Sequence, residues 1–213
     1  MELEFFGGNC FRIKSKQTTI VVDDNLNKIG KKSIINDKVV AFYTSGMLRD
    51  EKAVEQARLV IDGAGEFEVG DITVKGLQAR SHMDEAGVHT ATVFQFMFGG
   101  QTITVLGHVH PDIDDEVIEL VSGTDVLILP VGGNGFTLDP VGATSVIKKV
   151  EPDVVVPSQY DIAGINYEVP AQGLEEFGKV SSLNLEDAQD SLKLVRAGED
   201  SSTQTRVVVL NVK

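Results

Sequence analysis

A chain of 213 residues with 42% hydrophobic residues is long enough to bury a sizeable core, and no linker-like stretch interrupts it, so one domain is expected. Its formal charge of −13 repels phosphate backbones and anionic lipid, and its lysines are scattered, which excludes nucleic acid and membrane surfaces as expected partners. The opening MELEFFGGNCFRI has no basic region followed by a long apolar run, no window is apolar over a bilayer's thickness, and the single Cys10 has no partner for an intrachain disulfide; a cytoplasmic protein is expected.

In chain order, LEFF, CFRIK and TIVVD are separated by Gly-Gly-Asn and Ser-Lys-Gln, which is turn chemistry, and predict an antiparallel meander. The run VVAFYT, residues 39–44, is continuously apolar, β-branched and aromatic, as an inner strand buried on both faces would be. Residues 49–57 have helical composition. LVID, EFEV and DITVKGLQA then resume the strand pattern around Gly63, Gly65 and Gly70. Residues 88–98 alternate as a strand, Gly99 and Gly100 turn it, and residues 102–106 return. Beyond this point helices alternate with buried strands: a helix over 113–121, the strand TDVLILP, a helix over 140–150 capped by Asp139, and the strand DVVVP. Another short helix is expected over 169–177. KVSSL, LKLVRA and TRVVVLNV read as closing strands, with GEDSSTQ as a loose hairpin loop. Strands first, then strands mixed with helices, point to two sheets packed face to face with helices outside: an α/β (α+β) chain in a four-layer αββα sandwich.

Two stretches sharpen this. GGNCFRIKSKQTTIVVDDN, residues 7–25, resembles the first hairpin of the metallo-β-lactamase superfamily, in particular the branch of small metal-dependent hydrolases that includes the ascorbate-6-phosphate lactonase relatives. TDVLILPVGGNGFTLDPVGATSVIKKVEPDVVVPSQYD, residues 124–161, resembles the second signature of that branch. The resemblance implies the αββα metallo-β-lactamase fold and a metal centre built from a His-x-His-x-Asp-His cluster, a further His, a Gly-Asp-Thr aspartate and a final His. Such ligands suit zinc or manganese, and the metal makes a hydroxide nucleophile from bound water.

The sequence departs from that ligand set. Where Thr-His-x-His-x-Asp-His is expected after VVAFYT stand Thr44, Ser45, Gly46, Met47, Leu48, Arg49 and Asp50. An arginine is always protonated and repels a cation from such a pocket, so Arg49 is expected near it, paired with Asp50 or an acidic residue of the 112–115 loop. The Gly-Asp-Thr position is Gly107, His108 and Val109, and the final His position is Gln159. Of the implied ligands only His82 is retained.

One contrary signal stands against this. His108, His110 and Asp112 in GHVHPD reproduce the His-x-His-x-Asp spacing, and with His82 they could hold one ion, with Asp114 or Asp115 nearby. The plainer reading makes His108 and His110 polar loop residues and Asp112 a helix cap. His89 fits a strand surface. The glycines of VGGNG, residues 131–135, lack the Lys-Ser/Thr pair of a phosphate cradle, and Ser45 lacks a G-x-S-x-G elbow. Asp114, Asp115 and residues 151–153 read as solvated acidic faces.

The leading expectation is therefore a metallo-β-lactamase-like fold without cofactor, kept as a scaffold for a small molecule or a protein partner and compatible with homo-oligomerisation. The alternative is a zinc hydrolase of an ester, lactone or phosphodiester, with a rearranged mononuclear site around His82, His108, His110 and Asp112.

Overall fold

Strands at the start of the chain pair as their alternation demands. In the computed structural model, which describes residues 1–194 and 204–213, β1 (Glu2–Gly7), β2 (Cys10–Lys14) and β3 (Thr19–Val22) form the antiparallel meander, with Leu3 opposite Ile13 and Ile13 opposite Ile20. β4 (Val40–Phe42) runs parallel to β3 on one side and to β5 (Leu59–Ile61) on the other, so VVAFYT does supply an inner strand. Its side chains alternate between two apolar clusters: Val40 and Phe42 join the core between the sheets, and Ala41 and Tyr43 face the opposite side. Adding β12 (Leu192–Lys193) beside β1 completes a six-stranded sheet.

The second sheet opens with four antiparallel strands, β6 (Gly65–Val69), β7 (Ile72–Ala79), β8 (Ala91–Phe98) and β9 (Gln101–Val105). It continues with β10 (Val126–Pro130), β11 (Val154–Ser158) and β13 (Arg206–Val207) in parallel. All five residues of β10 are buried, as a parallel strand covered on both faces must be. Between the sheets the Phe42 ring meets Phe94 and Phe96 edge-on at 5.1 and 5.2 Å.

Among the described residues four α-helices lie outside: α1 (Glu51–Val54) on the first sheet, and α2 (Asp115–Val121), α3 (Pro140–Val150) and α4 (Leu174–Ser181) on the second. With the 3-10 turn at Leu26–Ile29 also covering the first sheet, the layers are αββα. α3 begins as predicted: Asp139 Oδ1 accepts from Gly142 N at 2.6 Å, and Pro140 needs no donor partner in the first turn. Asp139→Ala is expected to cost about 1 kcal/mol, read as a lower urea midpoint with unchanged slope.

Several boundaries differ from the sequence expectation. The helix expected over 169–177 starts only at Leu174, because Pro170 and Gly173 break the preceding turn, and it runs on through Ser181, so KVSSL is not a strand. The helical composition of 49–57 yields one turn, Glu51–Val54. Residues 88–90 belong to a loop held by Asp84, which accepts from Ser81 N and Thr90 N, and β8 starts at Ala91. The helix expected from Ile113 starts at Asp115, and Asp112 does not cap it; Asp114 stands at the cap position with its carboxylate on His89 Nε2 at 3.0 Å. β12 and β13 join different sheets and so do not pair as a hairpin; the rest of LKLVRA and nearly all of GEDSSTQ lie outside the described residues. Among the described residues no helix is long and apolar enough to cross a membrane.

Candidate functional site

The parallel strands β3 and β4 end side by side, and their last turns set Asp23 against Thr44. Thr44 donates to the Asp23 carboxylate twice, from its backbone N at 2.7 Å and its hydroxyl at 2.6 Å. Asp23 is fully buried in a left-handed backbone conformation (φ 52°), and burial pushes its carboxyl up to about 7 against those two bonds. Gly107, after β9, closes over the pair. It has φ +60°, and a β-carbon there would overlap the Thr44 hydroxyl and lie 2.5 Å from Thr44 Cβ.

Beyond Thr44 the residues aligned with the ligand cluster are engaged elsewhere. Ser45 is buried, its hydroxyl accepts from Met47 N at 3.3 Å, and no described histidine bonds it. Met47 points outward, 48% exposed. Arg49 pairs with Asp62 at 2.5 Å and Glu51 at 3.2 Å. The expected partners, Asp50 and the 112–115 loop, are therefore corrected: α1 turns Glu51 back towards Arg49, while β5 ends beside β4 and delivers Asp62. Asp50 itself caps α1, accepting from Lys52 N and Ala53 N, and holds Asn27 Nδ2 at 2.8 Å.

The loops after β7 and β9 lie together, with Ser81 bridging Val109. His82 N donates to the His108 carbonyl at 2.8 Å, and the His82 and His110 rings are 6.0 Å apart. His108 is 1% exposed. Its Nε2 lies 2.7 Å from Asn9 Nδ2, and Asn9 Oδ1 accepts from the Ser158 hydroxyl at 2.7 Å. With the Asn9 oxygen so used, its amide donates to Nε2 and the His108 proton is assigned to Nδ1, which has no partner. Burial, with a smaller contribution from His82, pushes His108 down to about 4, so the ring is neutral near pH 7. Burial, then the neighbouring His110, also lowers His82. The His110 Nδ1 accepts from Asp112 N at 3.0 Å, and the Asp112 side chain is exposed.

From β11, Ser158 meets Asn9 and Gln159 turns inward on a left-handed backbone (φ 48°). Its Oε1 is buried without a partner, as is Asn25 Oδ1, and both face the open side of Gly8, at 3.7 and 3.1 Å from where a β-carbon would sit. The VGGNG loop makes close backbone contact: a β-carbon on Gly132 would overlap the Gln159 carbonyl. Among the described residues, no three His, Cys, Asp or Glu side chains are grouped where they could hold a metal ion. Cys10 is buried, and its thiol is pushed up by burial and by Asp24 and Asp23.

A model of the β-lactamase superfamily domain matches residues 2–159. The chain belongs to the metallo-β-lactamase superfamily. It is 27% identical, over 124 residues and 58% of its length, to a UPF0173 metal-dependent hydrolase of Thermoplasma acidophilum, and it spans about half the length (54%) of that curated relative. Among solved structures it resembles a protein of Thermotoga maritima described as a zinc-dependent hydrolase of this superfamily, with a TM-score of 0.71, 21% identity, and 98% and 97% of the two chains covered. A protein of Parabacteroides distasonis described as a metal-dependent hydrolase superposes with a TM-score of 0.65 at 13% identity over 96% and 91%. A metallo hydrolase of Ignicoccus hospitalis gives 0.59 at 17% over 85% and 90%. These structural likenesses establish the fold.

In this superfamily member His82 and His108 lie in adjoining loops and Gln159 lies beside Gly8, next to the Asn9 that bonds His108, while Met47 points outward and Arg49 pairs with Asp62 and Glu51. Sequence reasoning missed Asn9, Asn25, Asp23 and Ser158 as parts of the site. Asn9 was legible only as turn chemistry. The doubled Asp23-Asp24 directly after an apolar strand was the one available signal.

Proposed function

We propose that this end of the fold works as a metal-free binding pocket, a scaffold for a small ligand or protein partner, in a relative of metal-dependent hydrolases. The observation that carries this reading is the buried chain Ser158–Asn9–His108. It ties up His108 Nε2 with an amide group that is itself a poor zinc ligand. The remaining donors fit a metal no better. Asp50 is spent on a helix cap, Arg49 brings positive charge, and His110 Nδ1 already accepts a backbone proton.

The pocket offers other chemistry. Gln159 Oε1 and Asn25 Oδ1 are both buried acceptors without a partner, beside Gly8. Four of the six large hydrophobic side chains exposed among the described residues, Met47, Met83, Val88 and Val141, stand on the loops and the helix start at the same end. Exposed apolar side chains close to buried polar acceptors are features that ligand sites share, and methionine adapts to varied surfaces. The narrower likeness to ascorbate-6-phosphate lactonase relatives rests on the two motifs over residues 7–25 and 124–161.

The rearranged zinc hydrolase is favoured by a specific observation of its own: His82 and His108 each carry a buried Nδ1 without a partner, in adjoining loops. Relatives described as metal-dependent also point that way. Zinc titration of protein purified without chelator separates the two. No stoichiometric uptake and no shift in Tm are expected, since a ligand that binds the folded state raises Tm by mass action. Stoichiometric zinc, lost on His108→Ala, would replace the scaffold reading with the hydrolase.

A further inference from the structure

At the opposite end of the sandwich from the loops described above, the β2–β3 turn packs on the β6–β7 turn. Thr18 Oγ1 donates to the Val69 carbonyl at 3.2 Å and approaches Gly70 so closely that no side chain fits there. Beside this contact, where β3, β4 and β5 begin, lies a cavity of about 400 Å³. Thr18, Val40 and Val69 are its buried lining, Leu59 stands 51% exposed in its wall, and Lys38 and Arg58 reach it from the starts of β4 and β5.

The charges are what distinguish it. The described arginines other than Arg58 are engaged, although the chain as a whole carries −13. Arg12 pairs with Glu4, Arg49 with Asp62 and Arg206 with Glu186, while Arg80 donates to the Asp84 carbonyl. Arg58 is the one described arginine whose side chain makes no hydrogen bond or ion pair, and the Lys38 side chain makes none either. A guanidinium presents a planar fork of donors that matches carboxylate and phosphate, and the Lys38 ammonium lining the same cavity adds a second positive charge. Glu68 is the opposing charge on the rim, and it forms no ion pair with either cation. The volume suits a small organic molecule, since ligand sites run upward from roughly 300 Å³.

We propose that this cavity binds a small organic anion, a phosphate monoester or carboxylate whose apolar body rests on Val40, Leu59 and Val69 while Arg58 and Lys38 hold its charge. The site is separate from the loop end, and its occupancy does not depend on whether that end holds a metal.

Titration of ¹⁵N-labelled full-length protein at constant ionic strength tests it, using phenyl phosphate, benzoate and neutral benzyl alcohol as probes. Saturable amide shifts confined to residues 17–19, 38–40, 58–59 and 68–70 are expected with an anion and not with the alcohol, and the tighter anion identifies the class. Arg58→Gln should weaken binding about tenfold, the loss of one charge-assisted contact, and Glu68→Gln should strengthen it. These residues are exposed, so the variants keep the fold. Shifts that fail to saturate, that the alcohol reproduces, or that survive Arg58→Gln unchanged would overturn the assignment.

Discussion

Between pH 6.5 and 4 the protein is expected to lose about 3 kcal/mol of stability relative to a His108→Gln variant, because the buried ring titrates near 4 in the folded chain and near 6.5 in the unfolded one. The folded pKa is depressed, so the unfolded state binds more protons in this window. The contribution is complete above the unfolded value and is lost as pH falls towards the folded one. Asp23 acts in the opposite sense. Its folded pKa is raised from 3.8 to about 7, so its contribution is complete in acid and is lost as pH rises through that range. Over the shared window the two slopes oppose each other, and the raw profile hides both. The difference between parent and variant isolates His108. An Asp23→Asn variant should expose the other half, gaining stability relative to the parent as pH rises towards 7. Urea unfolding across this range is the measurement, and parallel curves for parent and His108→Gln would show that the ring is solvated after all.

The second large effect belongs to Gly107. Gly107→Ala should cost about 3 kcal/mol or more, from two sources that act together. Alanine is strained at φ +60°, by roughly 1 kcal/mol. Its β-carbon would also lie 2.5 Å from Thr44 Cβ and drive the Thr44 hydroxyl off Asp23. A fully buried carboxyl would then lose a bond that offsets its desolvation. Thr44→Ala in the same background should recover part of the steric cost and none of the hydrogen bond, so the two changes should fail to add when their unfolding free energies are compared. Simple additivity would mean that the loop after β9 moves away from β4 without strain.

Local patterns carried most of the architecture. Residues 2–22 form a meander because short alternating strands flank turn residues, and that information is contained within a few positions. TDVLILP and VVAFYT announce buried strands by unbroken apolar runs, and Asp139-Pro140 announces a helix start by cap chemistry. The errors fell where local preference was divided. In 169–183 apolar residues suit helix or strand equally, and only the packing of Phe177 and Ser181 against the core selects a helix from Leu174. The closing strands read as a hairpin because proximity in sequence favours pairing, yet β12 and β13 go to separate sheets.

The loop positions after the strands were also legible, because Ser45, Met47, Arg49 and Gln159 follow recognisable strands at fixed offsets. What each side chain does there was not. Arg49 finds Asp62 because β4 and β5 run parallel and end together, a relation that no spacing around Arg49 encodes. The decisive contact of His108 is with Asn9, 99 residues away in the chain, and Asn9 in turn holds Ser158, 149 residues from it. A hydrogen bond acts over about 3 Å and depends on orientation, whereas sequence patterns report which face of an element is buried. Composition and periodicity therefore lead to the sandwich, and only its closing brings a turn asparagine, a strand-end serine and a loop histidine within reach of one another.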